Sequence, residues 1–416
     1  MDQTAHRELV SQLIKLDTVG GHEESLARFL KAYLNNYQID SQLIEVEPDR
    51  YNLVAEIGDP RKPVLALEGH QDVVALGDVS KWQHQPLGAE IEGTRMYGRG
   101  TSDMKAGLAA EIIAMVELAH TDYFQGHVRL LATIGEESSE VNHMQGAQYF
   151  AQHGYVNNVA GVIVAEPSGV PNNWLQQEPP TNPFLFSESQ IKQLLANNQT
   201  TEQFVLDYAH KGSITYSIVS NGKTAHSSTP ELGIDAIAPL IKMYQQQATY
   251  FNHLSAINPV LGKCIAVVTK FSGGDQLNSV PAHAEMFVKV RTIPEISNDV
   301  IIAHLKTMIG NLNNAGQAQL TFNLLGNKYP VQSNPDNKLI SLLHQIGEEE
   351  LHEQLPVGGS SAGTDASELI RANPNMTVAV FGPGNMTAHQ IDEYVDLTNF
   401  EHFITIYKRV IQAYFK

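Results

Sequence analysis

One cysteine, Cys264, is all that the 416 residues contain. No disulfide can form within the chain, and thiolates can build no metal cluster. A reduced, cytoplasmic setting is the simplest expectation. Long apolar runs are missing too. The best candidate, 106–119, is broken by Glu111 and Glu117, so no membrane span is expected. Positive charge is scarce: 27 Lys and Arg stand against 45 Asp and Glu, a net charge of −18. Such a surface repels nucleic acid, and no basic cluster reverses that. The opening MDQTAHRELV carries acid before base and does not read as a secretory signal.

What is present suits a large soluble α/β protein. Hydrophobic residues make up 42% of the chain, and its length exceeds one ordinary core. Apolar spacing predicts helices over 5–17, 24–36, 104–120 and 142–153. Short β-rich runs lie at 41–46, 51–57, 64–68, 127–134 and 161–165. Helices between strands imply a mostly parallel sheet covered on both faces. Residues 171–206 break this pattern. They are rich in Pro, Asn and Gln, with a short helix expected at 188–197, and read as a surface insertion. From 212 the order becomes strand 213–220, helix 232–249, strands 265–271 and 284–291, helix 298–312, strand 318–324. That βαββαβ order is the pattern of a small α+β domain. After 327 the first style resumes with helix 337–353, strand 377–382 and helix 396–414. The expectation is a catalytic domain, 1–211 and 327–416, interrupted by an inserted domain at 212–326.

Three apolar strands end in residues that bind cations. VLALEGH ends at His70, VRLLATIGEE at Glu136 and Glu137, and GVIVAE at Glu166. Ligands of open α/β sheets gather outside the carboxyl ends of strands, so these groups should share one edge. Asp103 follows the glycine-rich turn YGRGTSD, and His389 lies in GPGNMTAHQIDEY. Each has an ordinary reading: Asp103 as a helix cap, Asp72 of GHQD as a turn cap, Glu166 as a loop acid. Together they form a set of nitrogen and oxygen donors without thiolate, which suits Zn²⁺, with Co²⁺ or Mn²⁺ as alternatives. Two histidines and three carboxylates give three bonds to each of two ions if one carboxylate bridges. That count leaves one glutamate of the Glu136–Glu137 pair over, and hydrolysis needs a base. Asp72 could accept the other N–H of His70 and fix its tautomer.

GHQDVV, GRGTSDMKAG, TIGEE, AEPSG, TAHSSTPELGIDAI, GGDQLNSVP and AHQIDEY, in this order, resemble the signature segments of the di-zinc amidohydrolases and exopeptidases. That family includes acetylornithine deacetylase, succinyl-diaminopimelate desuccinylase, glutamate-releasing carboxypeptidase and aminoacylase. The resemblance implies a catalytic domain interrupted by a lid that mediates dimerisation. It implies His70, Asp103 and Glu166 on one ion and Asp103, Glu137 and His389 on the other, with Asp103 bridging. Glu136 becomes the general acid/base, Asp72 the group that orients His70, and the bond after Asp103 a cis peptide. His226 would reach the substrate carbonyl oxygen across the dimer. Asn278, Arg291 and Asn385 match positions that face substrate.

The implied reaction is hydrolysis of the amide bond of a small N-acyl amino acid, of the desuccinylase or deacetylase type. Glu166, where aminopeptidase-like members more often carry Asp, favours that branch. Two departures weigh against a strict desuccinylase. Ser367 stands where an arginine is often found, and His210-Lys211 where paired arginines occur. The alternatives are a metallo-exopeptidase acting on short peptides and, from a different class, a noncatalytic metal-binding scaffold. The scaffold reading predicts a lost ligand or base, and none of the expected ones is missing.

Overall fold

Strands that read as unbroken apolar runs are buried on both faces. In the computed structural model, which describes residues 1–121, 124–138, 144–172, 192, 194–196 and 202–416, this holds for the central strands. Six strands frame the first sheet: β1 (Ser41–Glu47), β2 (Arg50–Gly58), β3 (Val64–His70), β4 (His127–Thr133), β5 (Val159–Pro171) and β6 (Thr377–Asn385). Their order is β1-β2-β4-β3-β5-β6. The inner pairs β4–β3, β3–β5 and β5–β6 are parallel, and β1–β2 and β2–β4 are antiparallel. All seven residues of β3 and of β4 are buried. Register places His70 opposite Thr133 and Glu68 opposite Val164. The carboxyl ends of β3, β4 and β5 therefore finish side by side.

Helix α1 (Gln3–Lys15), helix α2 (Lys105–Ala119) and helix α3 (Leu397–Tyr414) pack together, and α2 also lies on the sheet. That explains why α2, KAGLAAEIIAMVELA, is apolar on every side: it has neighbours on every side. At its start the buried Lys105 donates from Nζ to the carbonyls of Leu13 (2.9 Å) and Leu16 (2.8 Å), at the end of α1. A cation there matches the carbonyls that the helix leaves unpaired. Burial lowers the Lys105 pKa to about 7.

The chain divides into two compact units, one of Met1–Ala209, Val331–Ser360 and Thr364–Lys416, the other of His210–Pro330 with Ser361–Gly363. The second unit holds a four-stranded antiparallel sheet in the order Ile265–Gly273, His283–Thr292, Gly212–Asn221, Gln319–Lys328. Helices Ile237–His253 and Asn298–Ala315 pack with it around Tyr216, Ile218, Leu240, Met286 and Leu305. Some details differ from the sequence reading. The helix expected at 232–249 starts at Ile237, because Pro230 opens a separate 3-10 turn and Gly233 is extended. A small sheet of Tyr394–Asp396, Arg95–Tyr97 and Glu90–Glu92 was not expected. Most of the 171–206 insertion, including much of the helix expected at 188–197, lies outside the described residues. Its Leu194 packs on Val170 and Val205. Among the described residues no helix is long and apolar enough to cross a membrane.

At Gly107, α2 runs close against β5. A Cβ there would stand 2.1 Å from the Ala165 carbonyl oxygen and 2.9 Å from its Cβ. Backbone cannot yield as a flexible side chain can. Gly107→Ala should therefore destabilise the fold by about 1–3 kcal/mol, despite alanine's better helix propensity. Thermal unfolding checks this; an unchanged or higher Tm would show that α2 can move off the sheet.

Candidate metal centre

The strand ends bring their side chains to one place. His70 closes β3. Its Nε2 lies 3.0 Å from Asp103 Oδ1 and 3.7 Å from Glu166 Oε1, on β5. The other oxygen of Asp103, Oδ2, lies 3.2 Å from His389 Nε2, which is 2.7 Å from Glu137 Oε1. One short carboxylate thus faces two imidazoles, one with each oxygen. Among the described residues, three groups of donor atoms lie within 4.8 Å of one another: His70–Asp103–Glu166, Asp103–Glu137–His389 and His70–Glu136–Glu137.

Each side chain is delivered by a different local device. Asp103 follows a turn in which Gly98 and Gly100 have positive φ, and its bond to Met104 is cis. His389 has φ 65, unusual for a residue with a Cβ. The turn carrying Glu136 and Glu137 is braced by Asn52, whose Oδ1 accepts from Ile134 N (3.1 Å) and whose Nδ2 donates to Gly146 O (2.9 Å).

Two residues sit differently from the sequence reading. The Asp72 carboxylate does not take the N–H of His70. His70 Nδ1 donates to the Asp72 main-chain carbonyl at 2.9 Å, and the nearer carboxylate oxygen is 3.9 Å away. That carboxylate accepts instead from the backbone N–H of Glu136 (3.2 Å) and Glu137 (2.9 Å). The residue holds His70 through its backbone and the glutamate turn through its side chain. Asn385, expected to face substrate, is 1% exposed. Its Oδ1 accepts from Thr387 N (2.9 Å), and its Nδ2 donates to Tyr394 O (3.2 Å). It braces the loop that carries His389.

The sequence reading missed a buried ion pair. Glu393 Oε1 accepts from the backbone N–H of Gly100 (3.0 Å), Ser102 (2.8 Å) and Asp103 (3.0 Å), and Oε2 meets Arg99 Nη1 at 2.5 Å. Both residues lie inside the motif segments already quoted, GRGTSD and AHQIDEY. The signal was there as two opposite charges, but nothing in the spacing said that they meet.

The family model for peptidase family M20/M25/M40 matches residues 66–413. The chain belongs to that family. Membership makes it a metal-dependent amidohydrolase. A Staphylococcus epidermidis protein named "Probable succinyl-diaminopimelate desuccinylase" is 34% identical over 98% of this chain and 96% of its own length. A Staphylococcus aureus protein of the same name is 32% identical over 98% and 97%. An M20 family metallo-carboxypeptidase from Sulfolobus solfataricus has a TM-score of 0.76 at 18% identity, covering 100% of this chain and 99% of its own. The aminopeptidase PepT from Bacillus cereus gives 0.72 at 17%, with both chains covered in full. At these identities the structural likeness is one of fold.

The electrostatics suit a set of cation donors. Burial pulls His70 down, but the bond to Asp103 and the charge of Glu166 outweigh it and hold its pKa well above the ordinary value. Bonds to Asp103 and Glu137 push the half-exposed His389 up to about 10. Burial raises Asp103, yet bonds to His389 and His70 leave it lowered overall. Burial, then repulsion from Asp103, raises Glu137 to about 7 and Glu166 well above the carboxylate range. Protons thus offset part of the repulsion among the carboxylates, a role that cations fill equally well.

His226, Asn278 and Arg291, the substrate-facing residues expected in the inserted domain, do not all lie side by side in the second unit. His226 pairs with Ser279 in a β-bridge, and Ser227 N donates to Asn278 O at 2.9 Å, so His226 and Asn278 are neighbours. Both side chains are exposed. Arg291, opposite Ser213 and Ile265, is eight residues along its strand from His283, roughly 26 Å.

Asp103→Asn removes the charge that both imidazoles face. In the metal-free protein the His389 titration should fall by about one to three pH units. Imidazole NMR reads this directly; an unmoved His389 would show that Glu137 alone sets it.

Proposed function

We propose that the chain hydrolyses the amide bond of an N-acyl amino acid, of the N-succinyl-diaminopimelate or N-acetylornithine type, in the cytoplasm. The proposed ligands are His70, Asp103 and Glu166 for one ion and Asp103, Glu137 and His389 for the other. The observation that carries this reading is Asp103, with one oxygen toward each histidine. Nitrogen and oxygen donors fit Zn²⁺ first, then Co²⁺ or Mn²⁺. Two such ions, when bound, acidify a water and polarise the substrate carbonyl.

The chain's own residues supply the rest. Glu137 faces His389, which supports its place as a ligand and leaves Glu136 as the base. Glu136 is buried, with its main chain fixed by Asp72. It takes the proton of the attacking water and delivers it to the leaving amine, giving a carboxylate and a free amino acid. His226 is the proposed donor to the carbonyl oxygen. Its Nδ1 accepts the Ser228 backbone N–H at 3.2 Å, so the neutral ring carries its proton on Nε2. A homodimer formed through the second unit belongs to the same proposal.

Full-length relatives named for succinyl-diaminopimelate favour the acyl amino acid reading. The departures noted in the sequence persist in the fold. Lys211 is buried with its Nζ on the Lys263 carbonyl, and Ser367 is buried. An anionic succinyl group needs other basic partners, so the acetyl and peptide alternatives stay in the test. A panel of N-succinyl-diaminopimelate, N-acetylornithine and dipeptides with added Zn²⁺ or Co²⁺, read by free amine release, decides. Turnover of dipeptides alone would replace the proposal with an exopeptidase.

Glu136→Gln should keep metal content near normal and lower kcat by about 100- to 10 000-fold. Glu137→Gln should instead reduce metal occupancy. Metal analysis beside steady-state kinetics separates the two; wild-type turnover by Glu136→Gln removes it as the base. Because His70 and His389 are held protonated without metal, ion uptake should release protons, and apparent affinity should rise with pH. Calorimetry in buffers of different ionisation heat counts those protons, and a count of zero would contradict the donor set.

A further inference from the structure

We infer that Glu393 is a positioning residue that holds Asp103 against His389, and so governs the second ion more than the first. The inference rests on the metal-centre reading above. Its starting point is an asymmetry between the donor groups. In His70–Asp103–Glu166, two members sit on adjacent parallel strands, β3 and β5, whose register is fixed within the buried sheet. In Asp103–Glu137–His389, none sits on a strand. Asp103 and His389 are nearly 290 residues apart in sequence, each on a loop, and His389 is half exposed. Something other than the sheet must set their separation.

Glu393 is placed to do so. Its carboxylate is fully buried four residues after His389, and Oε1 gathers three N–H groups from the Gly100–Asp103 turn. Its own carbonyl accepts from Gly98 N at 2.9 Å. Arg99, the partner of Oε2, turns back to donate to the carbonyls of Gln390 (3.1 Å) and Ala75 (3.2 Å). The pair therefore stitches the Asp103 loop to the His389 loop in both directions. Ser102 adds a second tether: its Oγ donates to Asn385 O (2.8 Å) and accepts from Asn385 N (2.7 Å). Glutamate suits the task because one oxygen can serve several N–H groups while the other holds a guanidinium. Groups that orient metal ligands in this indirect way typically change affinity by about 10–100-fold when removed.

The test is ion binding rather than turnover. Metal-free protein is titrated with Zn²⁺ against a chromophoric chelator, and wild type should take up two ions. Glu393→Ala should weaken the second ion by about 10–100-fold and leave the first within a few-fold. Glu393→Gln keeps one oxygen for the three N–H groups and should recover part of the loss. A purely structural role would weaken both ions alike, and that result overturns the inference. So does wild-type affinity for both ions in Glu393→Ala. Where Glu393→Ala does not fold, Glu393→Gln carries the test, since it removes the carboxylate charge and keeps the side chain's length. A weaker second ion supports the inference, and unchanged binding overturns it. Wild type that binds no ion overturns the metal-centre reading and this inference together, whereas two wild-type ions with an unselective variant overturn this inference alone.

Discussion

One aspartate carries the geometry of the centre. Asp103 turns one oxygen to His70 and the other to His389. Its side chain has a single methylene, so it cannot reach far; the two imidazoles must come to it. His70 comes on a strand whose neighbours are fixed by backbone pairing. His389 comes on a loop, in a backbone conformation that disfavours a Cβ. The parallel sheet, the glycine turn before Asp103 and the Glu393–Arg99 pair each solve part of this placement.

The fold and the strand-borne half of the site were legible because both rest on one pattern. Apolar runs that end in His70, Glu136–Glu137 and Glu166 mark strands and their carboxyl ends, and parallel pairing puts such ends together. Asp103, after its glycine-rich turn, and His389 joined them from local sequence, and the family resemblance gave each a place on an ion. What stayed illegible has a common cause. Main chain and side chain compete for the same hydrogen bonds, and sequence names only the side chain. Asp72 was expected to meet His70 with its carboxylate, yet its carbonyl does so. Asn385 looked available to a ligand, yet backbone groups of its own loop take its amide. Glu393 and Arg99 were quoted in the motifs without a role, because ion pairs between distant loops leave no periodic trace. The late start of helix Ile237–His253 belongs with these, since Pro230 and Gly233 act on local backbone rather than on the apolar pattern.

Charge sets a second constraint. Behind His70 lie three more buried acids, Glu68, Glu111 and Asp365. The Thr133 hydroxyl is 2.9 Å from Glu68 Oε1 and 2.6 Å from Asp365 Oδ2, and Glu111 Oε1 accepts from Glu68 N at 3.2 Å. A hydroxyl can give its one proton to only one of two carboxylates. Burial, the largest influence on each, raises Glu68 and Glu111 well above the carboxylate range and Asp365 to about 7. Acids this deep favour the neutral form, because an ionised group would lack water to stabilise it.

Glu68 and His70 are separated by one glycine on β3, and burial raises Glu68 as it raises Glu166 and Glu137 among the donors. What differs is the partner: Glu166 and Glu137 each lie against an imidazole, whereas Glu68 meets a hydroxyl and another acid. Three ionised acids beneath the donor set would draw cations inward and weaken the proton affinity balance that a base at Glu136 requires. With the rear layer protonated, divalent ions at the strand ends need offset only the charge of the donors themselves. The acidic excess of the sequence, −18 overall, therefore says little about the site by itself. What distinguishes the site is which of the buried carboxylates face an imidazole.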